Sequence, residues 1–352
     1  MFPNMGSGGT VGNRCEVECG RNSGGGEMGE KDGVTELKKS QASGAAAPAK
    51  RILLRIAYDG TRFAGFQMQK SGVPTIEGEL TRALAELTGE DTALIGGSRT
   101  DAGVHALDNV AVFDTNSRIP AEKFSYALNA RLPQEIRIQS AQAVAPDFHP
   151  RHQTVEKTYE YRIYNAPFPS PLRRLYSYFS YTPFDAERMR RAAAPLVGRH
   201  DFQSFCSVYS QAATTVREIT GIEIEEIPLG AARPVDGADA SRDGTGAGVL
   251  RGAEGADILR RGADADGPHG AAGAGTPPVL PRELVIRVSG YGFLYNMVRI
   301  IAGTLMEAGR GALDPSRVPD ILAKCDRRAA GPTAPPEGLT LVRYRFLDGK
   351  SI

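Results

Sequence analysis

The chain alternates apolar and polar positions in some stretches and repeats its apolar positions at helical spacing in others, and the change of period predicts its elements. Ile52, Leu54, Ile56 and Tyr58 lie two apart and share one face of a strand. Ile76, Leu80, Ala83, Leu84 and Leu87 then form the stripe of a helix, with Thr75 as N-cap and Gly89 as C-terminal stop. NVAVFD (109–114) returns as a strand. A second helix begins with Pro120 in its first turn and turns Phe124 and Leu128 inward, and IRIQSAQAV (136–144) is again a strand. Together these read as a βαββαβ-like first unit.

A second unit opens with KTYEYRIYN (157–165), whose alternation puts Tyr159, Tyr161 and Ile163 on one face and Thr158, Glu160, Arg162 and Tyr164 on the other. Asp185 caps a helix that turns Met189, Ala193 and Leu196 inward. GIEIEEI (221–227) pairs with ELVIRVSG (283–290), and a long helix from about Phe293 to Ala308 carries Met297, Val298, Ile301, Leu305 and Ala308 toward the core. Gly309 is expected to stop that helix, and LVRYRF (341–346) supplies a late strand. Mixed strands and helices in this order predict an α+β protein.

Composition sets the limits of the folded part. Of the 41 glycines, 11 fall in residues 1–50 and 12 in residues 228–280, two stretches with too few large apolar side chains to offset the entropy of ordering. The expected organisation is a disordered N-terminal extension (1–50), an N-terminal unit (51–147) and a C-terminal unit (148–352). Residues 228–280 form a Gly/Ala-rich hairpin insertion, tolerated because loop closure costs little more as a loop lengthens.

Charge and cysteine usage exclude several classes. Lys and Arg number 42 against 41 Asp and Glu, so a nucleic-acid partner requires the positive charge to be gathered on one face. No apolar run approaches the roughly 20 residues of a membrane span, and no basic-then-apolar leader opens the chain, which points to a cytoplasmic setting. The four cysteines, Cys15, Cys19, Cys206 and Cys325, make no disulfide framework, and Cys15 and Cys19 lack the partners of a metal site.

GGSRTDAGVHA (96–106) packs glycines, an arginine, a carboxylate and a histidine into a loop between two strands. Taken alone, Arg99 and Asp101 read as a surface ion pair or an Asx turn, and His105 as a hydrogen-bonded, partly buried side chain. The whole string, however, resembles the signature of the TruA family, tRNA pseudouridine synthase A. AYDGTRFAGFQMQ (57–69), LNARLP (128–133), DFHPR (147–151), KTYEYRIYN, HDFQSF (200–205), VREI (216–219), GFLYNMVRIIAGTL (292–305) and EGLTLVRY (337–344) match that family's segments in order. Phe66 stands where the family commonly has tryptophan, and Ser98 where glycine is frequent.

The resemblance implies the pseudouridine synthase fold: two similarly built α/β units whose mostly antiparallel sheets join into one extended sheet, with the active-site cleft between them. It implies Asp101 as nucleophile, Arg299 as the arginine that pairs with it, Tyr159 as the ring that stacks on the target uracil, and Arg99 as an RNA contact. It also implies a homodimer, free of cofactor and metal, acting on uridines 38, 39 and 40 of the tRNA anticodon stem-loop. A carboxylate suits this chemistry, since at an unperturbed pKa of about 3.9 it is ionised at neutral pH and can add to a sugar or base carbon, or remove a sugar proton, and later leave. Arg62, Arg99, Arg151 and Arg162, if gathered around the cleft, supply the salt-dependent part of RNA affinity. Two other classes fit parts of the pattern: an RNA-binding module that keeps the fold without the chemistry, and a glycosidase-like enzyme that releases the base. The second calls for a further carboxylate, with Glu77 and Asp108 nearby in sequence.

Overall fold

A computed structural model describes residues 50–229 and 281–347. The alternating segment at its start is β1 (Lys50–Tyr58), and Ile52, Leu54, Ile56 and Tyr58 are all buried on one face, as their spacing predicts. The helix that follows, α1 (Ile76–Thr88), is bounded as expected. Thr75 accepts a hydrogen bond from the Gly78 amide at 3.2 Å, and Gly89 ends the helix in the left-handed region. A three-residue strand, β2 (Leu94–Gly96), precedes the long β3 (His105–Thr115). Three residues hold too little pattern to be read from sequence. A 3-10 turn over 121–123 leads into α2 (Phe124–Asn129), which buries Phe124 and Leu128 and packs on β4 (Ile136–Val144).

The second half opens with β5 (Val155–Asn165), followed by the short β6 (Tyr178–Ser180), α3 (Ala186–Ala193), β7 (Gly198–Asp201), β8 (Val216–Pro228) and β9 (Arg282–Gly290). Asp185 caps α3 by accepting from the Arg188 amide, and Met189, Ala193 and Leu196 are buried. β8 and β9 pair antiparallel out to Pro228 opposite Arg282. The arms of the expected hairpin are therefore present, and Lys50 and Pro228, counted with the extension and the insertion, belong to β1 and β8; residues 1–49 and 230–280, with Cys15 and Cys19, lie outside the described residues. Two helices, α4 (Met297–Gly309) and α5 (Val318–Lys324), precede the last strand, β10 (Leu339–Phe346).

The long helix departs from expectation at both ends. It starts at Met297 rather than near Phe293, because Asn296 adopts φ +61° and breaks the helical run. Gly309 is its last residue and not its stop. A side chain there would come within 2.8 Å of Met189 Cγ, so this glycine lets α4 lie close against α3. The left-handed turn comes two residues later, at Gly311.

All ten described strands belong to one sheet, in the order β4-β1-β3-β10-β5-β9-β8-β7, with β2 on β3 and β6 on β5. Every pairing is antiparallel except β10 with β3 and β5 with β6. β10 is thus a seam, joined to β3 on one side and β5 on the other. The main core lies between the sheet and its helices, and a smaller cluster around Leu53, Val112, Phe148 and Tyr344 is separate from it. The described residues show a mixed α+β architecture, with one large, mostly antiparallel sheet and few helices, as the resemblance implies.

Candidate active site

The loop that joins β2 to β3 lies beside the β10 seam and is held by side chains on three sides. Gly97 comes first. A Cβ there would sit 2.5 Å from Val110 Cγ2 and 2.9 Å from the Tyr344 ring, so only glycine lets the chain pass. Asn109, fully buried on β3, then receives the Ser98 amide at 3.2 Å and donates to the Ser98 carbonyl and the Tyr58 hydroxyl, each at 3.0 Å. Tyr58 in turn bonds the Thr100 hydroxyl at 2.7 Å, and the Phe66 amide donates to the Thr100 carbonyl at 3.0 Å. The loop closes where the Val104 amide donates to the Asp101 carbonyl at 3.2 Å, with Gly103 left-handed inside that turn. These loop bonds come from backbone and buried neighbours, and Asp101 lines the cavity beside the loop.

That cavity measures about 510 Å³ and brings the four predicted residues, Asp101, Arg99, Tyr159 and Arg299, to one place. Arg299, in the first turn of α4, reaches the Asp101 carboxylate at 3.4 Å. Two further bonds fix the guanidinium, Nε to the Ala334 carbonyl at 2.7 Å and Nη1 to the Asn296 side chain at 2.9 Å. The left-handed Asn296 that delays the helix is therefore also what aims its arginine. Burial pushes the Asp101 carboxyl above the ordinary carboxylate value, and Arg299 opposes that rise without cancelling it. The unperturbed value assumed from sequence does not hold.

Tyr159, on β5, is buried and packs edge-on against Phe293, with ring centres 5.1 Å apart. Its hydroxyl lies 2.9 Å from Ser98 Oγ. Tyr161, two residues on, is fully buried and donates to the Pro335 carbonyl at 3.0 Å, so it is core, as expected. Arg99 is exposed at the cavity mouth, and no ion pair holds it among the described residues. Arg151 lines the same opening.

Two cations expected near the cleft lie elsewhere. Arg162 sits on the opposite face of β5 from Tyr159, as strand alternation requires, and pairs with Glu160 at 2.7 Å. Arg62 pairs with Glu135. Neither lines the Asp101 cavity. Phe66 is buried against Gly96 and Tyr58 and offers no face to a ligand. His105 is buried, accepts from the Gly60 amide at 3.1 Å, and lines a different cavity with Asp59 and Tyr176. Of the carboxylates that a base-releasing enzyme would need, Glu77 binds the Met68 amide and Asp108 pairs with Arg55. Asp101 is the one carboxylate among the described residues lining its cavity.

Comparison with known proteins decides the family. A family model for tRNA pseudouridine synthase matches residues 55–153 and 192–347. The chain belongs to the tRNA pseudouridine synthase family. Relatives named tRNA pseudouridine synthase A include that of Acetivibrio thermocellus, 40% identical over 297 residues that cover 84% of this chain and all of the relative. The relative from Brevibacillus brevis is 38% identical over 292 residues, covering 83% of this chain and 98% of its own. That of Geotalea uraniireducens is 38% identical over 297 residues, covering 84% and 100%.

Within this pseudouridine synthase the structure adds residues that sequence reasoning passed over. Lys157 lines the cavity beside Tyr159, donates to the Gly97 carbonyl at 3.2 Å, and lies 5.1 Å above the Tyr344 ring. Its place two residues before Tyr159, on the same strand face, was a usable signal. Tyr209 and Tyr295 are exposed at the rim. They come from loops, where no periodicity announces them. Among the described residues no group of metal-ligating side chains gathers, and no helix is long and apolar enough to cross a membrane.

Proposed function

We propose that this chain isomerises uridine to pseudouridine in the anticodon stem-loop of tRNA, at positions 38, 39 and 40, with Asp101 as nucleophile and without a cofactor. The observation that carries the reading is the Asp101–Arg299 pair set against Tyr159 in one cavity whose mouth is cationic. In the reaction the N1–C1′ bond breaks, the uracil turns, C5 bonds to C1′, the C5 hydrogen leaves as a proton, and N1 takes up a proton. The Asp101 carboxylate adds to the nucleotide as the first bond breaks and departs as the second forms.

Arg299 keeps that carboxylate available against the cost of its burial, and its Nη1, 3.4 Å from Oδ2, orients it. Tyr159 replaces the stacking a uracil loses when it leaves the helix, with Phe293 holding the ring in plane. Arg99 and Arg151 take the flanking phosphates. The homodimer expected from the family joins this reading, two subunits cradling one tRNA.

The test is direct. Unmodified tRNA transcripts are incubated with the protein, and pseudouridine is mapped by carbodiimide labelling and primer extension. Stops at positions 38 to 40 are expected. Stops elsewhere in the tRNA would remove the anticodon assignment and keep the chemistry, whereas their absence across a set of tRNAs would leave an RNA-binding module as the better account.

A further inference from the structure

Lys157 is the cation in the cavity to which the proposed reaction gives no task, and among the described residues it has no carboxylate partner. Its ammonium has three possible acceptors within reach: the Gly97 carbonyl at 3.2 Å, Ser98 Oγ at 3.4 Å and, from above, the face of Tyr344. Ser98 Oγ also lies 2.9 Å from the Tyr159 hydroxyl. The three side chains therefore form a line, Lys157 to Ser98 to Tyr159, that begins at a cation and ends on the ring assigned to the uracil.

A line of this kind has a direction. An ammonium is a donor only, so when Lys157 is charged Ser98 accepts from it. The single Ser98 proton is then available for the Tyr159 oxygen, and the phenol's own proton stays uncommitted to the protein. When Lys157 is neutral its nitrogen becomes an acceptor. Ser98 then turns its proton toward Lys157 and takes the phenol's proton in exchange, so the line points the other way.

We propose that Ser98 and Lys157 are positioning residues, and that the charge on Lys157 sets the direction of the hydrogen bonds that hold Tyr159, leaving the phenol proton free for the bound nucleotide. The inference rests on the pseudouridine synthase reading above and deepens it.

The surroundings of Lys157 support a change of charge within an accessible range. Burial and the nearby Arg151 push its ammonium down to about 8, while burial pushes the Tyr159 phenol up to about 12, so the lysine titrates and the phenol does not. From β10 it meets the Tyr344 ring, from the β2–β3 loop Gly97 and Ser98, and from β9 the backbone of Gly290. Arg99, Asp101 and Arg299 are the other charges of the cavity. A step near pH 8 is the one expected of Lys157, and its loss in Lys157→Arg identifies it.

Two readouts test this on the full chain. In the first, tyrosine is labelled with carbon-13 at Cζ and the Tyr159 signal is assigned with Tyr159→Phe. Its shift should step with a midpoint near pH 8 in the wild type, and the step should vanish in Ser98→Ala and in Lys157→Arg, which stays charged. In the second, the single-turnover rate on a tRNA transcript should fall about tenfold above the same midpoint, the worth of about one hydrogen bond. Lys157→Arg should keep its rate at pH 9, Lys157→Met should be slow throughout, and Ser98→Ala should lose about tenfold in kcat with KM little changed.

A wild-type Tyr159 signal without the step, or a step that persists in both Ser98→Ala and Lys157→Arg, overturns the inference. A wild type inactive on every transcript overturns the functional reading instead, and the carbon-13 titration then decides the inference alone.

Discussion

Asp101 and Arg299 are separated by 198 positions in the chain and by 3.4 Å in the fold. The first sits in a loop built by glycines and a buried asparagine, and the second is aimed by a left-handed residue at the head of a helix. Neither feature serves the core. Both serve to place one carboxylate and one guanidinium in a cavity where burial makes the pairing necessary.

Removal of the guanidinium should therefore affect the carboxylate more than the fold. Arg299→Met is expected to slow pseudouridine formation on the order of a hundredfold, the usual cost of losing one preorganised donor, and to move the acid limb of the rate profile to higher pH. Arg299→Lys should recover only part of the rate, since an ammonium cannot hold Asp101, Asn296 and the Ala334 carbonyl as one planar fork does. Rates measured between pH 4 and 8 check both statements. An unchanged acid limb in Arg299→Met would separate the arginine from the ionisation of Asp101.

The raised Asp101 pKa also makes a prediction about stability. Folding makes this carboxyl harder to ionise than it is in the unfolded chain, so its contribution is most favourable below the unfolded carboxylate value and is lost as pH rises through the higher folded value. Asp101→Asn carries no such loss. It should be more stable than the wild type at pH 7, with the difference shrinking to nothing in acid. Thermal unfolding of both proteins across that range gives the sign directly.

Arg99 and Arg151 should act through phosphate and therefore through salt. Replacing either by alanine is expected to weaken tRNA binding at low salt and to reduce the steepness of the plot of log affinity against log salt by about one. Arg162→Ala should leave that slope alone, because Arg162 is already paired with Glu160 on the other face of β5.

Gly97→Ala tests the path of the loop that carries Asp101. The added carbon would lie 2.5 Å from Val110 and 2.9 Å from Tyr344, both on the sheet beneath, so the loop must lift. A loss of about 1–3 kcal/mol is expected, together with loss of activity. Full activity with reduced stability would mean that Asp101 does not depend on this contact.

Much of the fold was legible because its signals are local. The caps of α1 and α3, the alternation of β5 and the hairpin arms of β8 and β9 each follow from residues within a few positions of one another. The start of α4 was not legible, since the apolar spacing carries no sign of the left-handed Asn296 that precedes it and bonds Arg299 three residues on. At the site, Asp101 and Arg99 were found through the motif, and Tyr159 and Arg299 through the order of several matching segments. Lys157 was passed over, and Ser98 was noted only as a departure from the family, because their meaning depends on the approach of the β2–β3 loop to β5, a contact between segments 59 residues apart. Arg62 and Arg162 were placed at the cleft by charge alone; Arg62 pairs with Glu135, far along the chain, and Arg162 with Glu160, two residues before it on the face of β5 opposite Tyr159.

The most direct measurement compares wild type and Asp101→Asn on one tRNA transcript labelled with tritium at uridine C5, with tRNA affinity determined for both. Pseudouridine formation expels that hydrogen, so its release counts the reaction itself. The account predicts release by the wild type, none by Asp101→Asn, and binding of the transcript by both. Release by Asp101→Asn at the wild-type rate would contradict it, because the nucleophile would then lie elsewhere.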